Sequence, residues 1–187
     1  MTTRNFFAAT RLAALLALSV AAAAPAFAQA GQQASPPAAT AVSFGPKMIS
    51  IRYSAPSVKG RKIFGPGGLL SKDPTYPVWR AGANDATAFN TDADLIIGNL
   101  PVPKGAYTLY CLVSDPDNWQ LIISKEIGQW GLTYHPKEDL GRVKMTMSKP
   151  PAPVEKYRMT LTSTGPTSAQ LEIAWENHVA TVPITVK

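Results

Sequence analysis

From about Lys47 onward the chain alternates apolar and polar residues in short runs. In "MISIRYS", Ile49, Ile51 and Tyr53 fall on one side and Ser50, Arg52 and Ser54 on the other, the period of a half-buried strand. "AYTLYCLV" and "NWQLIIS" follow the same period on either side of "SDPDN", where Asp and Pro supply turn geometry, so the two read as a hairpin. "RVKMTMS" sets Val143, Met145 and Met147 against Arg142, Lys144 and Thr146, and "EKYRMTLTS" sets Tyr157, Met159 and Leu161 against Lys156, Arg158 and Thr160. Methionines at strand spacing are core filling rather than a metal box. "AQLEIAWE" and "VATVPITV" close the chain around "NH", a two-residue turn. No useful helical period follows residue 46. About eight short strands punctuated by Pro and Gly predict an all-β fold, a single antiparallel β-sandwich over 47–187, because two sheets must cover each other's apolar faces.

The N-terminus has a different pattern. Arg4 and Arg11 precede an apolar run from Leu12 to Ala24, then Pro25 and Ala26-Phe27-Ala28, a small-x-small cleavage signature. The run is shorter than the roughly 20 residues a membrane span needs, so residues 1–28 read as a secretory signal peptide cut before Gln29. The protein is therefore expected outside the inner membrane, periplasmic or secreted, and not membrane-spanning. Residues 29–46, rich in Ala, Gln, Ser and Pro, read as a flexible leader.

Composition adds three bounds. The lone cysteine, Cys111, leaves no internal disulfide, and its alternation with Leu109 and Val113 makes it a small buried apolar residue. Net charge is +6 for the whole chain, and removal of Arg4 and Arg11 leaves it mildly positive. Lys47, Arg52, Lys59, Arg61, Lys62 and Lys72 crowd the start of the domain, a solvated basic face or one that meets anionic surfaces of the envelope. Nothing resembles a nucleic-acid-binding module.

The chemistry concentrates at "VWRAGAN". If this stretch is extended, Trp79, Ala81 and Ala83 face the core while Arg80, Gly82 and Asn84 face away. Gly82 then leaves either a small pocket or a place where another backbone crosses. Arg80 with Asn84 could grip a carboxylate, phosphate or sugar oxygen, or Arg80 could tie loop carbonyls or a carboxylate such as Glu176. Arg61, in "SVKGRKIFGPGG", is a second candidate cation, and Ile63 and Phe64 after it read as a plug under the loop. Trp119 and Trp130 are candidate loop aromatics for stacking on a ligand. The only histidines, His135 and His178, lie outside any metal-ligand spacing, and no catalytic motif or cofactor signature is present.

Taken in order, "ISIRYSAPSVKGRKIFG", "VWRAGAN", "KGAYTLY", "LIIS", "QWG" and "LEIAWENHVATVPI" resemble the bacterial exported family DUF2911 over nearly all of 47–187. The resemblance implies a leader followed by one β-rich domain and carries no established activity. "SKDPTYP" stands here in place of the "VPYG" stretch that precedes the tryptophan and arginine in many members. The sequence thus leads to a non-catalytic binding module for a polar or anionic small molecule or glycan, with Arg80, Asn84, Arg61, Trp119, Trp130 and Glu176 as site candidates. A structural or envelope-associated interaction protein is the alternative. A sugar-directed hydrolase or isomerase is the third reading, and it needs Glu176 or His178 beside Arg80.

Overall fold

The computed structural model describes Met1 and residues 34–187, so the signal-peptide reading of 1–28 lies outside the described residues apart from Met1. Thirteen strands run in chain order as β1 (Pro37–Phe44), β2 (Lys47–Ser54), β3 (Val78–Trp79), β4 (Thr87–Thr91), β5 (Leu95–Ile97), β6 (Leu100–Val102), β7 (Gly105–Leu112), β8 (Gln120–Ser124), β9 (Asp139–Lys144), β10 (Thr146–Ser148), β11 (Val154–Gly165), β12 (Ser168–Glu176) and β13 (His178–Val186). They form two antiparallel sheets. The first has the order β1-β2-β4-β7-β8-β9, with β3 also pairing β7. The second has the order β11-β12-β13-β5-β6, with β10 also pairing β13. The all-β sandwich expected from the sequence is therefore present, built from more strands than the alternation marks. No helix among the described residues is long and apolar enough to cross a membrane.

The flexible leader needs correction. Pro37–Phe44 is a full strand, paired residue for residue with β2 from Pro37↔Ser54 to Phe44↔Lys47. Its composition is poor in bulk, yet Ala38, Val42 and Phe44 pack against the core and the Thr40 hydroxyl accepts the Leu161 N–H at 2.9 Å. Main-chain pairing needs no particular side chain, and Gly45 at φ +59 followed by Pro46 supplies a primed hairpin turn.

"RVKMTMS" also behaves differently from one strand. The chain leaves the first sheet after Lys144 and enters the second at Thr146, turning on buried Met145, whose N–H donates to the Trp119 carbonyl at 2.9 Å. The alternation survives because the face that Val143 and Met145 turn inward is the same core seen from either sheet.

Between the sheets, one end of the core is aromatic. Trp79 stacks on Trp175 with ring centroids 5.6 Å apart and meets Tyr157 edge-on at 5.1 Å. Phe64 sits 4.8 Å from Trp119 and 5.8 Å from both Trp79 and Trp175, which makes it the plug its sequence position suggested. Such pairs add about 0.5–1.5 kcal/mol each beyond the area they bury. Cys111 lies in this core fully buried, and burial pushes its thiol pKa up to about 12, so it serves as an apolar filler.

The first sheet has a second buried face. Val78, Tyr110 and Ile122 point away from the main core and are covered with Ala86, Leu112 and Tyr134. Segment 125–138 supplies that cover: the Tyr110 hydroxyl donates to the Thr133 carbonyl at 2.7 Å and accepts from Gln129 Nε2 at 2.8 Å.

Candidate functional site

"VWRAGAN" is not extended beyond Trp79. Ala81 and Asn84 take φ of +51 and +60, which folds 80–85 into a compact turn. Trp79 is in the core, and its indole N–H donates to the Gly82 carbonyl at 3.0 Å; the Thr87 hydroxyl donates to the Ala81 carbonyl at 2.8 Å. The strict two-face division therefore fails, with Ala81 and Gly82 both buried although adjacent. Of the two roles open for Gly82, the structure has the backbone crossing: a Cβ there would lie 2.9 Å from the Ser54 carbonyl of β2, which also accepts the Ala83 N–H.

Arg80 leaves this turn half-buried. Its Nη1 faces Asp73 Oδ2 at 3.6 Å, and not Glu176. Its Nε and Nη1 are buried with no hydrogen-bond partner among the described residues. Burial lowers the guanidinium pKa from its ordinary value, Asp73 works in the opposite direction, and the group stays charged. Gly131 packs directly on it: a Cβ there would overlap Arg80 Cδ and the Asn84 carbonyl, and that carbonyl accepts the Gly131 N–H at 3.1 Å. Asn84 is exposed, its amide 3.4 Å from the Ser54 hydroxyl. Beside Gly131, Trp130 is 52% exposed, and its backbone bridges to Asp85. Arg80, Asn84 and Trp130 thus belong to one locality.

The remaining candidates lie elsewhere. Arg61 clamps its own loop, donating through Nη2 to Ser57 O at 2.6 Å and through Nε to Val58 O at 3.0 Å. Trp119 is 1% exposed and is a core residue, not a loop aromatic. Its alternation with Leu121 and Ile123 in "NWQLIIS" was the signal for that. Glu176 occupies the β12–β13 turn, where Oε1 accepts the Ile63 N–H at 3.1 Å and Oε2 lies 3.6 Å from His178 Nδ1.

Next to the Arg80 locality, the outer face of the first sheet holds a groove of about 580 Å³. Its floor is low because β4 and β7 present small residues there, Ala88 and Thr108 among them, and its walls carry Arg52, Asp85, Asn90 and Gln129. A smaller hollow of about 230 Å³ reaching Ser54 and Pro37 shares Arg52, Asp85 and Ala88 with it, so the depression continues along β2. Arg52 and Asp85 have opposite charges, and neither has an ion-pair partner among the described residues. Thr108, Gln129 and Tyr110 form a hydrogen-bonded row beneath the rim, with burial raising the Tyr110 pKa from its ordinary value. The groove offers a planar cation, a carboxylate and two amides, a set that reads hydroxyls and anionic oxygens alike. Among the described residues no three His, Cys, Asp or Glu side chains gather in a way that would hold a metal ion. Sequence reading placed Arg52 only in a basic cluster, because the groove is made by the small residues of β4 and β7 across the sheet from it.

No curated protein and no solved structure matches this chain. The family DUF2911, described as a protein of unknown function, matches residues 35–184, a span that takes in β1 and both sheets. The chain belongs to the DUF2911 family.

Proposed function

We propose that this is an exported, non-catalytic β-sandwich binding module whose ligand, a polar or anionic small molecule or a glycan segment, lies along the groove on the outer face of the first sheet. The observation that carries this reading is the pair of unpartnered opposite charges, Arg52 and Asp85, on one groove with a floor of small side chains. Both side chains are exposed and keep their donors and acceptors open to a ligand. Here they face a depression into which a ring of hydroxyls fits, with Trp130 exposed at the neighbouring position for stacking. Arg80 supports the wall from behind by holding Gly131 against Asn84. Export rests on the apolar N-terminal run with its Ala26-Phe27-Ala28 signature. Contact with anionic envelope surfaces falls to Lys59, Arg61 and Lys62, all exposed in the loop after β2.

The test is calorimetric titration of the purified domain with a panel of neutral and uronic-acid oligosaccharides, repeated for Arg52→Ala and for Ala88→Trp, which fills the groove floor. Binding that weakens about tenfold or more in both variants, with melting midpoints unchanged, supports the reading. Binding that survives both variants, or no binding to any member of the panel, overturns it.

A further inference from the structure

At the end of the sandwich near the aromatic core, the β12–β13 turn brings Glu176 and His178 together. The turn spans Glu176 and Asn177, with Trp175 paired to His178. Glu176 takes φ +53, the left-handed region that glycine adopts most easily and a side chain with a Cβ disfavours. The carboxylate placed there is used on both oxygens: one accepts the Ile63 N–H, and the other lies 3.6 Å from His178 Nδ1. That distance is too long for a hydrogen bond, but the field of the carboxylate favours the proton on Nδ1.

The imidazole is fixed from the remaining sides. It stacks on Trp119 with centroids 5.4 Å apart and planes 16° from parallel, and it packs on Phe64 at 4.7 Å. Nδ1 is buried with no hydrogen-bond partner. The ring also lines a pocket of about 280 Å³ shared with Asp117, Ser148, Lys149 and Asn177, small against the roughly 300–1,000 Å³ of most small-molecule sites. Burial lowers the His178 pKa from its ordinary value; Glu176 and Asp117 oppose this and Lys149 adds to it, so the ring is a neutral acceptor around pH 7. With one free lysine against two carboxylates near the ring, the surroundings do not favour an anion. Mixed donors and acceptors of near-balanced charge suit hydroxyl groups.

We propose that His178, beside the Glu176 carboxylate and stacked on Trp119, is the acceptor in a second binding site for a neutral, hydroxyl-rich molecule about the size of one sugar ring, with Asp117 and Lys149 as its polar walls. This site is separate from the groove of the first sheet and does not depend on it. Arg80 does not line it, so the hydrolase arrangement that needs Glu176 or His178 beside Arg80 finds no support in this pocket.

The chain has 2 histidines, so protein labelled with ¹⁵N-histidine gives one reporter in the pocket and one control, His135, outside it. Long-range proton–nitrogen correlation spectra should show the His178 proton on Nδ1. Titration with glucose, galactose and mannose should shift the His178 Nε2 signal for at least one of them, leaving His135 unmoved. Asp117→Ala and Lys149→Ala, both at exposed positions, should each weaken that response about fivefold, the effect of losing one hydrogen bond. Arg52→Ala should leave it unchanged. The proposal is overturned by a proton on Nε2, by no response to any of the three sugars, by a response to inorganic phosphate alone, or by a sugar response that persists in both wall variants.

Discussion

The two sheets treat their outer faces in opposite ways. On the second sheet, buried and more open residues alternate along Tyr157–Leu161 of β11 and Ala180–Val186 of β13, and the outward Arg158 and Glu172 pair with each other at 3.2 Å at the surface. On the first sheet, β7 and β8 are buried on both faces, because segment 125–138 lies over Tyr110 and Ile122. Where this cover stops, at Gln129 and the small residues of β4, the groove begins. The first sheet thus carries an additional layer whose edge shapes a site, whereas the outer face around Arg158 and Glu172 of the second is open to water. An irregular segment can form a pocket wall only if something apolar anchors it, and Tyr110 with Ile122 is that anchor.

The contrast can be broken most strongly at Ile122. Ile122→Ala removes a fully buried side chain from beneath the cover and should cost about 2–5 kcal/mol, a loss of roughly 4–20 °C in melting midpoint for a domain of this size. Arg158→Ala, on the bare face, should cost less than about 1 kcal/mol. Similar midpoint losses from the two substitutions would dissolve the distinction between the faces.

Gly131→Ala comes next, at about 1–3 kcal/mol, since the added methyl meets Arg80 and the Asn84 backbone. Denaturant melts should show that loss together with weakened groove binding; an unchanged midpoint would mean that the wall yields easily. A smaller effect is expected at Arg80. Among the described residues its only charged partner is Asp73 at 3.6 Å, and its Nε and Nη1 are unsatisfied, so Arg80→Ala should change stability by less than about 1 kcal/mol. A midpoint drop of more than about 5 °C would make Arg80 a true internal clamp.

The smallest effect is set by pH. The His178 pKa is lowered in the folded state, so the unfolded chain binds the proton more readily, and stability is retained above the ordinary value of 6.5 and declines as pH falls below it. His178→Gln should flatten that decline between about pH 7 and 5 in a series of denaturant melts. An identical slope in the variant would place the pH dependence elsewhere.

The hairpin of β7 and β8, the closing pair β12 and β13, the burial of Cys111 and the plug of Ile63 and Phe64 were all readable, because alternation and turn residues are local signals. β1 was not readable: its pairing is made by backbone atoms, and Ala, Ser and Pro give no hint of a partner eight residues long. In "VWRAGAN", Ala81 and Asn84 take positive φ and the Ser54 backbone crosses at Gly82, a contact distant in sequence that alternation does not record. The last turn falls one residue before "NH", at Glu176 and Asn177, and Glu176 lies beside His178 rather than Arg80. Asp73, which does face Arg80, lies in "SKDPTYP", an irregular stretch in which alternation gives no signal.

Cys111 has a practical consequence. Its thiol is sealed in the core on β7, paired on one side with Trp79 of β3 and on the other with Leu121 of β8. A small alkylating reagent reaches it only when those neighbours separate, so each alkylated molecule records one opening of the sandwich. With a single thiol in the chain there is no second signal to subtract. The rate of labelling thus becomes a clock for how often the protein comes apart, and any ligand that holds the sheets together will slow it.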